Sequence, residues 1–240
     1  QYKLDLILAS STKEKKIIKQ TLGYTDDEIS ITGLARFDNL HEIKAKKQIL
    51  IMPTWRRSLS NASKNEFQKS TYFKTYKNLM ENEDFHKLIE DNNIQVKFYI
   101  HNQMQKYIDC FVNEHPNIEF LDKSNSIVSD LLKESALLIT DYSSVSLDFL
   151  YMNKPVLLYQ FDPENNHHVP SEEIKYRNIG IIISYENELI NKTEEIVNRN
   201  FKTEDEMLRN SKNIFKYRDN KNCERIFKAI HQKAYGIKGV

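Results

Sequence analysis

The fold is decided by one stretch of the chain, Ser135-Ala136-Leu137-Leu138-Ile139-Thr140-Asp141-Tyr142-Ser143-Ser144-Val145-Ser146-Leu147-Asp148-Phe149. Its apolar run, Ala136–Ile139, predicts a buried strand, and the apolar residues that resume after the polar turn predict a helix. The turn holds four residues of the types that cap helix N-termini: Thr140, Asp141, Ser143 and Ser144. A helix that starts at the end of a parallel strand offers N–H groups and a positive dipole end, which predicts a phosphate-binding turn. A plain capped helix is the alternative interpretation.

Strand-like and helix-like segments alternate on both sides of this stretch. Strands are predicted at residues 4–9, 29–32, 48–53, 95–100, 118–121, 136–139, 156–159 and 179–184. Helices are predicted at residues 12–22, 71–92, 103–113, 128–134 and 144–152, with a polar loop at 58–70 and nearly continuous helix from 186 to about 234. This alternation is typical of βαβ units, so the sequence predicts an α/β fold with a parallel sheet that is covered on both faces.

Polar residues directly follow four of the predicted strands. These segments are residues 53–56, His101, residues 141–144 and residues 160–162. Ligands of parallel sheets bind beyond the carboxyl ends of the strands, so we expect these segments to lie along one rim of the sheet. That rim is the predicted ligand site.

Composition excludes several classes of protein. The 240 residues are 40% hydrophobic and 29% charged, with five glycines and five prolines, which predicts a soluble globular chain without long disordered linkers. No apolar run reaches the ~20 residues that cross a bilayer, and the net charge of +1 gives no general support for nucleic-acid binding. The two cysteines, Cys110 and Cys223, fit neither a metal site nor a disulfide framework and favour a cytoplasmic location.

A family resemblance is carried by three consecutive motifs. They are Thr140-Asp141-Tyr142-Ser143-Ser144-Val145 with Asp148-Phe149, then Tyr151 with Lys154-Pro155-Val156, and finally Tyr159-Gln160-Phe161-Asp162. Earlier motifs are Gly33-Leu34-Ala35-Arg36-Phe37-Asp38, Met52-Pro53-Thr54-Trp55-Arg56, and Phe98-Tyr99-Ile100-His101 with Met104-Gln105. In their order, and over roughly residues 4–162, these motifs resemble the CDP-glycerol glycerophosphotransferases, which are teichoic-acid primases and polymerases and related capsule enzymes.

The resemblance implies a GT-B-like transferase, of which this chain holds the C-terminal, Rossmann-like part. Residues 1–40 would be the end of the N-terminal domain and the hinge, and residues 41–240 the nucleotide-binding domain with its helical tail. The implied reaction moves glycerol phosphate or ribitol phosphate from a CDP-activated donor to a hydroxyl of a lipid-linked or polymeric acceptor of the teichoic-acid or capsule type. CMP is released, and the resemblance implies no cofactor and no nucleic-acid partner.

The start of the chain also bears on activity. The chain begins at Gln1 without a methionine and at once enters the apolar run Leu4–Ala9, which we interpret as a cut inside a larger protein. The family's N-terminal half, with its acceptor-side histidine motif and the base, has no counterpart here. We therefore expect the chain to bind nucleotide but to turn over poorly by itself.

His101 is the implied catalytic residue, and it handles the phosphate of the donor. An imidazolium placed directly after a strand neutralises charge on the bridging phosphate oxygen or protonates the leaving group. A structural histidine is the alternative. Six residues are expected to bind the donor phosphate or the nucleotide: Arg56, Thr140, Asp141, Ser143, Ser144 and Asp148. Gln160 and Asp162 are expected to make acceptor or loop contacts.

Several conspicuous residues have a structural interpretation. We expect Trp55 to pack in the core, with a place on the pocket wall as the alternative, and we expect Arg36 and Asp38 to belong to the hinge between the two domains. The pair His167 and His168 lacks a third ligand at zinc-site spacing, so no metal site is predicted.

The C-terminal tail is basic and amphipathic. Its cations are Lys212, Lys216, Arg218, Lys221, Arg225, Lys228, Lys233 and Lys238, against Asp219 and Glu224. A helix of this type can lie on an anionic membrane, which would place the protein at the inner face of the cell membrane. We expect it instead to pack back on the sheet with its lysines in water.

Two other classes of function stay open. A GT-B glycosyltransferase or an epimerase that uses a UDP-sugar would share the fold and the phosphate-binding turn. Such an enzyme usually carries a carboxylate for the ribose hydroxyls, and Asp148 is the one candidate for that role. A non-catalytic nucleotide-binding fragment is the remaining alternative.

Overall fold

A small parallel sheet of two strands opens the chain. The computed structural model describes residues 3–41, 45–112, 114–165 and 171–236. Strands β1 (Ile7–Ala9) and β2 (Ile29–Ile31) are paired in parallel and joined by helix α1 (Thr12–Leu22). The Ser11 side chain caps α1 by accepting a hydrogen bond from the Glu14 N–H, and Gly23 ends the helix at a φ of 72°. The predicted helix at 12–22 is confirmed.

A second sheet of six parallel strands forms the main body. Its strands are β3 (Gln48–Ile51), β4 (Gln95–Tyr99), β5 (Ile118–Leu121), β6 (Leu137–Thr140), β7 (Val156–Tyr159) and β8 (Ile181–Ile183). They lie in the spatial order β5-β4-β3-β6-β7-β8, and every neighbouring pair is parallel. The α/β fold with a parallel sheet is therefore confirmed, and each strand begins and ends within three residues of its prediction.

Both faces of the central strands are buried, which explains their continuous apolar sequences. In β3, Ile49 and Ile51 point into one core and Leu50 into the other, and all three are fully buried. Side chains alternate between the faces of a strand, so a strand covered on both sides favours apolar residues at successive positions. β6 repeats the pattern, with Leu137 and Ile139 in one core and Leu138 in the other.

Helices cover both faces of the sheet. They are α2 (Lys64–Lys69), α3 (Thr71–Glu81), α4 (Glu83–Asp91), α5 (Val128–Glu134), α6 (Val145–Tyr151), α7 (Glu186–Asn198), α8 (Asp205–Ile214) and α9 (Asn222–Tyr235). Short 3₁₀ helices lie at Ala35–Leu40, Arg57–Leu59, Asn102–Cys110, Pro163–Asn165 and Tyr176–Asn178. The predicted helices at 128–134 and 144–152 are confirmed as α5 and α6.

One loop prediction and three helix predictions are wrong in extent or type. The polar loop at 58–70 contains α2, which begins with a capping box between Ser63 and Glu66. The helix at 71–92 is two helices, because the Asn82 side chain accepts a hydrogen bond from the Phe85 N–H and starts α4 anew. The helix at 103–113 is a 3₁₀ helix, and the helix from 186 to about 234 is divided into α7, α8 and α9.

The last helix packs against the residues that join the two sheets, and the expectation that it packs on the sheet is wrong. The Asp38 carboxylate accepts hydrogen bonds from the N–H groups of Asn222 and Cys223, at 2.8 and 2.7 Å, and so caps α9. Gly33 lies so close to the start of α9 that a Cβ at this position would be 1.8 Å from Oδ1 of Asn222. Within α9, only Asn222 is fully buried.

The strand order creates one switch point in the sheet. The chain runs outward from β3 to β5 and then crosses back to place β6 on the other side of β3. In open parallel sheets, the crevice at such a reversal, outside the carboxyl ends of the strands, is where ligands bind. The segments after β3 and β6 therefore flank the expected binding position.

Candidate functional site

A cleft of about 640 Å³ opens at this switch point, between α1 and the carboxyl ends of β3, β4 and β6. Glu14 and Ile17 of α1 form part of one wall. On the side of the sheet the lining residues are Thr54, Trp55, His101, Tyr142, Ser143, Ser144, Ser146 and Leu147. The cleft lies where the sequence predicted the rim, and it combines polar groups at the strand ends with an apolar surface that includes Leu34, Phe37 and Phe215.

Of the nine predicted site residues, three line the cleft. His101 follows β4, and Ser143 and Ser144 follow β6. They are distant in sequence and meet because their strands end at the same edge of the sheet. Trp55, expected in the core, also lines the cleft while its ring packs against the core residues.

The His101 ring is held in a defined orientation. Its Nδ1 accepts a hydrogen bond from the Gln103 N–H at 3.2 Å, and the ring stacks on Trp55 with 6.3 Å between centroids and 25° between planes. Because Nδ1 is an acceptor, the proton of the neutral ring lies on Nε2. In this tautomer Nε2 is the ring's donor, which is the form that can hydrogen-bond a phosphate oxygen.

Three amides at the start of α6 are engaged locally, whereas the sequence interpretation offered the N–H groups of this helix start to a phosphate. The Val145 N–H donates to Oγ of Ser143 at 3.4 Å, and the N–H groups of Ser146 and Leu147 donate to the carbonyls of Ser143 and Ser144 at 3.2 and 3.0 Å. Ser144 is exposed, and within the described residues its hydroxyl makes no hydrogen bond. The exposed Ser144 hydroxyl is therefore one group that this turn offers to a ligand.

Arg56 lies behind the cleft rather than in it. Its Nε and Nη2 donate to the two carboxylate oxygens of Asp162, both at 2.7 Å, and its Nη1 donates to the Thr54 carbonyl at 2.8 Å. The same Nη1 lies 2.8 Å from Oδ2 of Asp141, and the three side chains are at most 2% exposed. The prediction that Arg56 binds the donor phosphate is revised, because protein acceptors occupy all three nitrogens of its guanidinium.

Electrostatics fixes the charge state of this buried network. Burial lowers the pKa of Arg56, but the hydrogen bond to Asp162 and the charge of Asp141 more than offset it and raise that pKa above its ordinary value. Burial raises the pKa of Asp162, an effect that the Arg56 guanidinium opposes. The rings of Tyr72, Tyr142 and Phe161 surround the guanidinium at 5.3–5.8 Å. The result is a charged cluster enclosed by aromatic rings.

The network positions the two segments that flank the cleft. Oδ1 of Asp141 accepts hydrogen bonds from the N–H groups of Thr54 and Tyr142, at 2.8 and 2.6 Å, and so joins the segment after β3 to the one after β6. The Thr140 hydroxyl donates to the Met52 carbonyl at 2.7 Å, and the Gln160 amide donates to the Asp141 carbonyl at 3.0 Å. Thr140, Asp141, Gln160 and Asp162 thus support the lining residues, and none of them lines the cleft.

Arg36 is the charged residue on the phosphate side of the cleft that the sequence interpretation assigned elsewhere. It belongs to the 3₁₀ helix after Gly33 and was expected to be a hinge residue, yet it lines the cleft with a half-exposed side chain. Its Nε donates to Oδ1 of Asp148 at 2.8 Å. Asp148 is 6% exposed; burial raises its pKa, and the charge and hydrogen bond of Arg36 oppose that rise. The partners are 112 residues apart, so no local pattern could have shown the pair.

Two further findings concern metals and membranes. Among the described residues, no group of three or more His, Cys, Asp or Glu side chains is arranged to hold a metal ion. His167 and His168 lie outside the described residues. Within the same part of the chain, no helix has both the length and the apolar character that a membrane span requires.

Comparison with known proteins places this geometry in a family. The sequence model of the CDP-glycerol:poly(glycerophosphate) glycerophosphotransferases matches residues 1–232. The minor teichoic acid biosynthesis protein GgaB of Bacillus subtilis (strain 168) is 32% identical over 94% of this chain, which spans 26% of GgaB. The teichoic acid ribitol-phosphate polymerase TarL of Staphylococcus aureus is 31% identical over 65% of this chain, with 27% of TarL covered.

A solved structure shares the fold. The wall teichoic acid polymerase TagF superimposes with a TM-score of 0.70 and 20% identity, over 98% of this chain and 59% of the TagF chain. The chain therefore corresponds to roughly a quarter of the two curated relatives and to more than half of the solved TagF chain. With a family match along almost its whole length, the chain belongs to the CDP-glycerol:poly(glycerophosphate) glycerophosphotransferase family.

Proposed function

We propose that this chain binds a CDP-activated polyol in the cleft and serves the transfer of glycerol phosphate or ribitol phosphate to an acceptor hydroxyl. The observation that carries the proposal is the convergence of Trp55, His101, Ser143 and Ser144, from the ends of three strands, on one cleft at the switch point of the sheet. Family membership supplies the chemical class. The acceptor is a lipid-linked or polymeric chain of the teichoic-acid or capsule type.

The chemistry is a displacement at phosphorus. The acceptor hydroxyl oxygen forms a bond to the phosphorus that carries the polyol, and the bond from that phosphorus to the bridging oxygen breaks. CMP leaves with the bridging oxygen, and the hydroxyl proton passes to a base. Catalysis of such a step depends on positioned donors that stabilise the charge developing on phosphate oxygens.

The lining residues take the direct roles in this proposal. His101 donates from Nε2 to the bridging or leaving oxygen, and the hydroxyls of Ser143 and Ser144 hold the phosphate oxygens. Arg56, Thr140, Asp141 and Asp148 act on the donor through the residues that they position. Gln160 and Asp162 belong to the same support rather than to a contact with the acceptor. Burial supports this division of roles, because His101, Ser143 and Ser144 are at least partly exposed. The supporting residues Arg56, Thr140, Asp141, Asp148 and Asp162 are buried.

The polyol of the donor is the open part of the proposal. The family description refers to glycerol phosphate, whereas TarL is described as a ribitol-phosphate polymerase. The two donors share the CDP group that the strand-end residues would bind. CDP-glycerol and CDP-ribitol therefore both fit the chemistry of the cleft.

We also infer the division of the chain into two domains. Residues 1–40 would close the cleft as the end of an N-terminal GT-B-like domain and its hinge, and residues 41–240 would be the nucleotide-binding domain with its helical tail. The separation of the two-stranded from the six-stranded sheet supports this division, and so does the position of the cleft between α1 and α6.

Peripheral attachment to an anionic membrane is the proposed location, at the inner face of the cell membrane. In its favour, α9 exposes Phe227, Ile230 and Tyr235, at 62%, 52% and 71%, on a helix that also carries Lys228 and Lys233. Sedimentation with phosphatidylglycerol vesicles should carry down the wild-type protein and leave a Phe227→Ser, Ile230→Ser variant in solution. Equal sedimentation of both proteins would remove α9 from the membrane contact.

Titration calorimetry tests the proposed donor. The ligands are CDP-glycerol, CDP-ribitol, CMP and UDP-N-acetylglucosamine, and a CDP-polyol should bind more tightly than the UDP-sugar. Replacing Ser143 and Ser144 together by Ala should weaken CDP-polyol binding about 10- to 100-fold, the range for lost hydrogen bonds to charged groups. Ser58→Ala, at an exposed serine that does not line the cleft, is the matched control. Preference for the UDP-sugar would favour the epimerase or glycosyltransferase alternative, and no nucleotide binding would refute the proposal.

A further inference from the structure

Arg36 brings a guanidinium to the same cleft as the two serines. It extends from the Ala35–Leu40 3₁₀ helix, which joins the two sheets, and it lines the cleft beside Ser143 and Ser144. Its side chain is 51% exposed, in contrast to the 2% of Arg56. Arg36 is therefore the arginine of this site that a ligand in the cleft can reach.

The way in which Arg36 is anchored leaves part of its guanidinium open. Only Nε is bonded, to Oδ1 of Asp148 at 2.8 Å, and within the described residues neither terminal nitrogen makes a hydrogen bond. Arg56 shows what a purely structural arginine does in this fold, since it presents two nitrogens to Asp162 and the third to a carbonyl. Asp148 thus fixes the plane of the Arg36 guanidinium and leaves its outer edge for an acceptor with two oxygens.

The position of Asp148 places this edge next to Ser144. The two residues are four apart at the start of α6, and side chains with that spacing are about 5–6 Å apart on one face of a helix. The guanidinium bound to Asp148 therefore lies about one helical turn from the exposed hydroxyl of Ser144. The amides of Val145, Ser146 and Leu147 take no part in this site, because local acceptors already engage them.

The charges around the cleft favour an anion on the side of Arg36 and Ser144. The charged lining residues are Glu14 and Arg36, and His101 adds a ring nitrogen that can donate a hydrogen bond. Arg36 is bonded to Asp148 of α6, and His101 follows β4. Glu14 is on α1, where its Oε2 accepts hydrogen bonds from the Ser10 N–H and hydroxyl at 2.5 and 2.6 Å. A phosphate would thus meet the guanidinium and the hydroxyls on one wall, and the carboxylate on the other wall suits a hydroxyl-bearing group.

We propose that Arg36, held by Asp148, is the residue that binds the pyrophosphate of the donor, with Ser144 on the same anion. The terminal nitrogens of Arg36 bind two phosphate oxygens, and Asp148 acts as its positioning residue. This inference deepens the proposed function and rests on it for the identity of the nucleotide. The anion site itself stands on the geometry of Arg36, Asp148 and Ser144 alone.

Calorimetric titration at low salt, with inorganic pyrophosphate, CDP-glycerol and cytidine as separate probes, tests this assignment. Arg36→Met should weaken pyrophosphate and CDP-glycerol binding about 10- to 100-fold and leave cytidine binding unchanged, because the uncharged nucleoside lacks the group that Arg36 binds. Arg36→Lys should recover only part of the affinity, since an ammonium lacks the planar fork. Arg209→Met on α8 removes the same charge at an exposed position away from the cleft and should match the wild type.

The probes keep the two proposals apart. If pyrophosphate binds the wild-type protein and Arg36→Met equally, or binds neither protein, the proposed role of Arg36 is wrong. This holds whatever affinity is measured for CDP-glycerol. A wild-type protein that binds pyrophosphate through Arg36 but prefers UDP-sugars to CDP-polyols leaves the anion site standing and refutes the proposed donor. Asp148→Asn adds the positioning test: affinity for pyrophosphate should fall while the melting temperature stays closer to wild type than that of Arg56→Met. Unchanged affinity in Asp148→Asn overturns the positioning role.

Discussion

Replacing Arg56 by Met tests whether this residue organises the site from behind. The substitution removes the paired hydrogen bonds to Asp162, both 2.7 Å long, and the ion pair with Asp141 at 2.8 Å. Methionine has a similar length and fits an apolar surrounding, so steric change is small. What remains is two carboxylates, both at most 2% exposed, without their cation.

The magnitude follows from the burial of these carboxylates. Breaking a buried ion pair by removing one partner costs about 3–5 kcal/mol, because the remaining charge is left uncompensated. For a chain of this size, each kcal/mol lowers the melting temperature by about 2–4 °C, so a decrease of about 6–20 °C is expected. Such a loss is a large share of the 5–15 kcal/mol that typically stabilises a folded protein.

Urea and thermal unfolding followed by circular dichroism measure this loss. Arg57→Met is the matched control, because Arg57 is the next residue, is exposed and loses the same charge; it should stay within about 0.5 kcal/mol of wild type. The double variant Arg56→Met, Asp162→Asn should recover part of the stability, since one of the two unpaired charges disappears. An Arg56→Met protein that unfolds within about 1 kcal/mol of wild type, but has lost its affinity for CDP-glycerol, would refute the structural role and restore Arg56 as a phosphate ligand.

Three other predictions concern single positions. In a full-length enzyme, His101→Ala should lower kcat about 10²- to 10⁴-fold with little change in donor KM; a destabilised variant with full turnover per folded molecule would assign His101 to structure. Gly33→Ala should cost about 1.5–4 kcal/mol in urea unfolding, because its φ of 78° is strained and its Cβ would displace Asn222 from the Asp38 cap. Gly23→Ala, with a φ of 72° and no atom within 4 Å, should show only the backbone strain, and equal losses would contradict the argument. Burial lowers the pKa of Lys154 to about 8 from 10.5, so between these pH values the folded protein has already released a proton that the unfolded chain keeps. Stability should therefore rise with pH in that window, and Lys154→Met should abolish the rise; a rise that persists in the variant would show that other groups cause it.

Periodicity and capping residues were sufficient to predict most of the fold. The apolar runs of β3 and β6 identify buried strands, because a parallel sheet covered on both faces favours apolar residues at successive positions. The helix predicted at 12–22 ends where expected, because Gly23 follows it in a left-handed conformation. By contrast, the break at Asn82 was missed although Asn followed by Glu83 and Asp84 is a helix-start signal. The apolar face continues across that break, and periodicity alone therefore joined two helices into one.

The lining of the cleft was predicted only in part. His101, Ser143 and Ser144 could be placed because a strand end is a local feature and the rule for parallel sheets brings such ends together. The roles of Arg56 and Arg36 depend instead on partners more than 100 residues away, Asp162 and Asp148. Each arginine lies next to an aromatic residue, Phe37 or Trp55, so the immediate sequence could not show which arginine is buried.

The two arginines differ because of the carboxylates that the fold supplies to each. Arg56 meets two acidic residues and a carbonyl beneath the ends of β3 and β6, which satisfies its whole guanidinium and joins the strand-end segments rigidly. Arg36 meets one carboxylate at its Nε and keeps its outer edge toward the cleft. A phosphate site needs positive charge that is fixed in orientation but still open to the ligand, since interactions formed in advance stabilise a transition state without reorganisation. In the proposed phosphate site the buried pair would supply rigidity and the half-exposed pair the open charge, so we expect that neither arginine can replace the other.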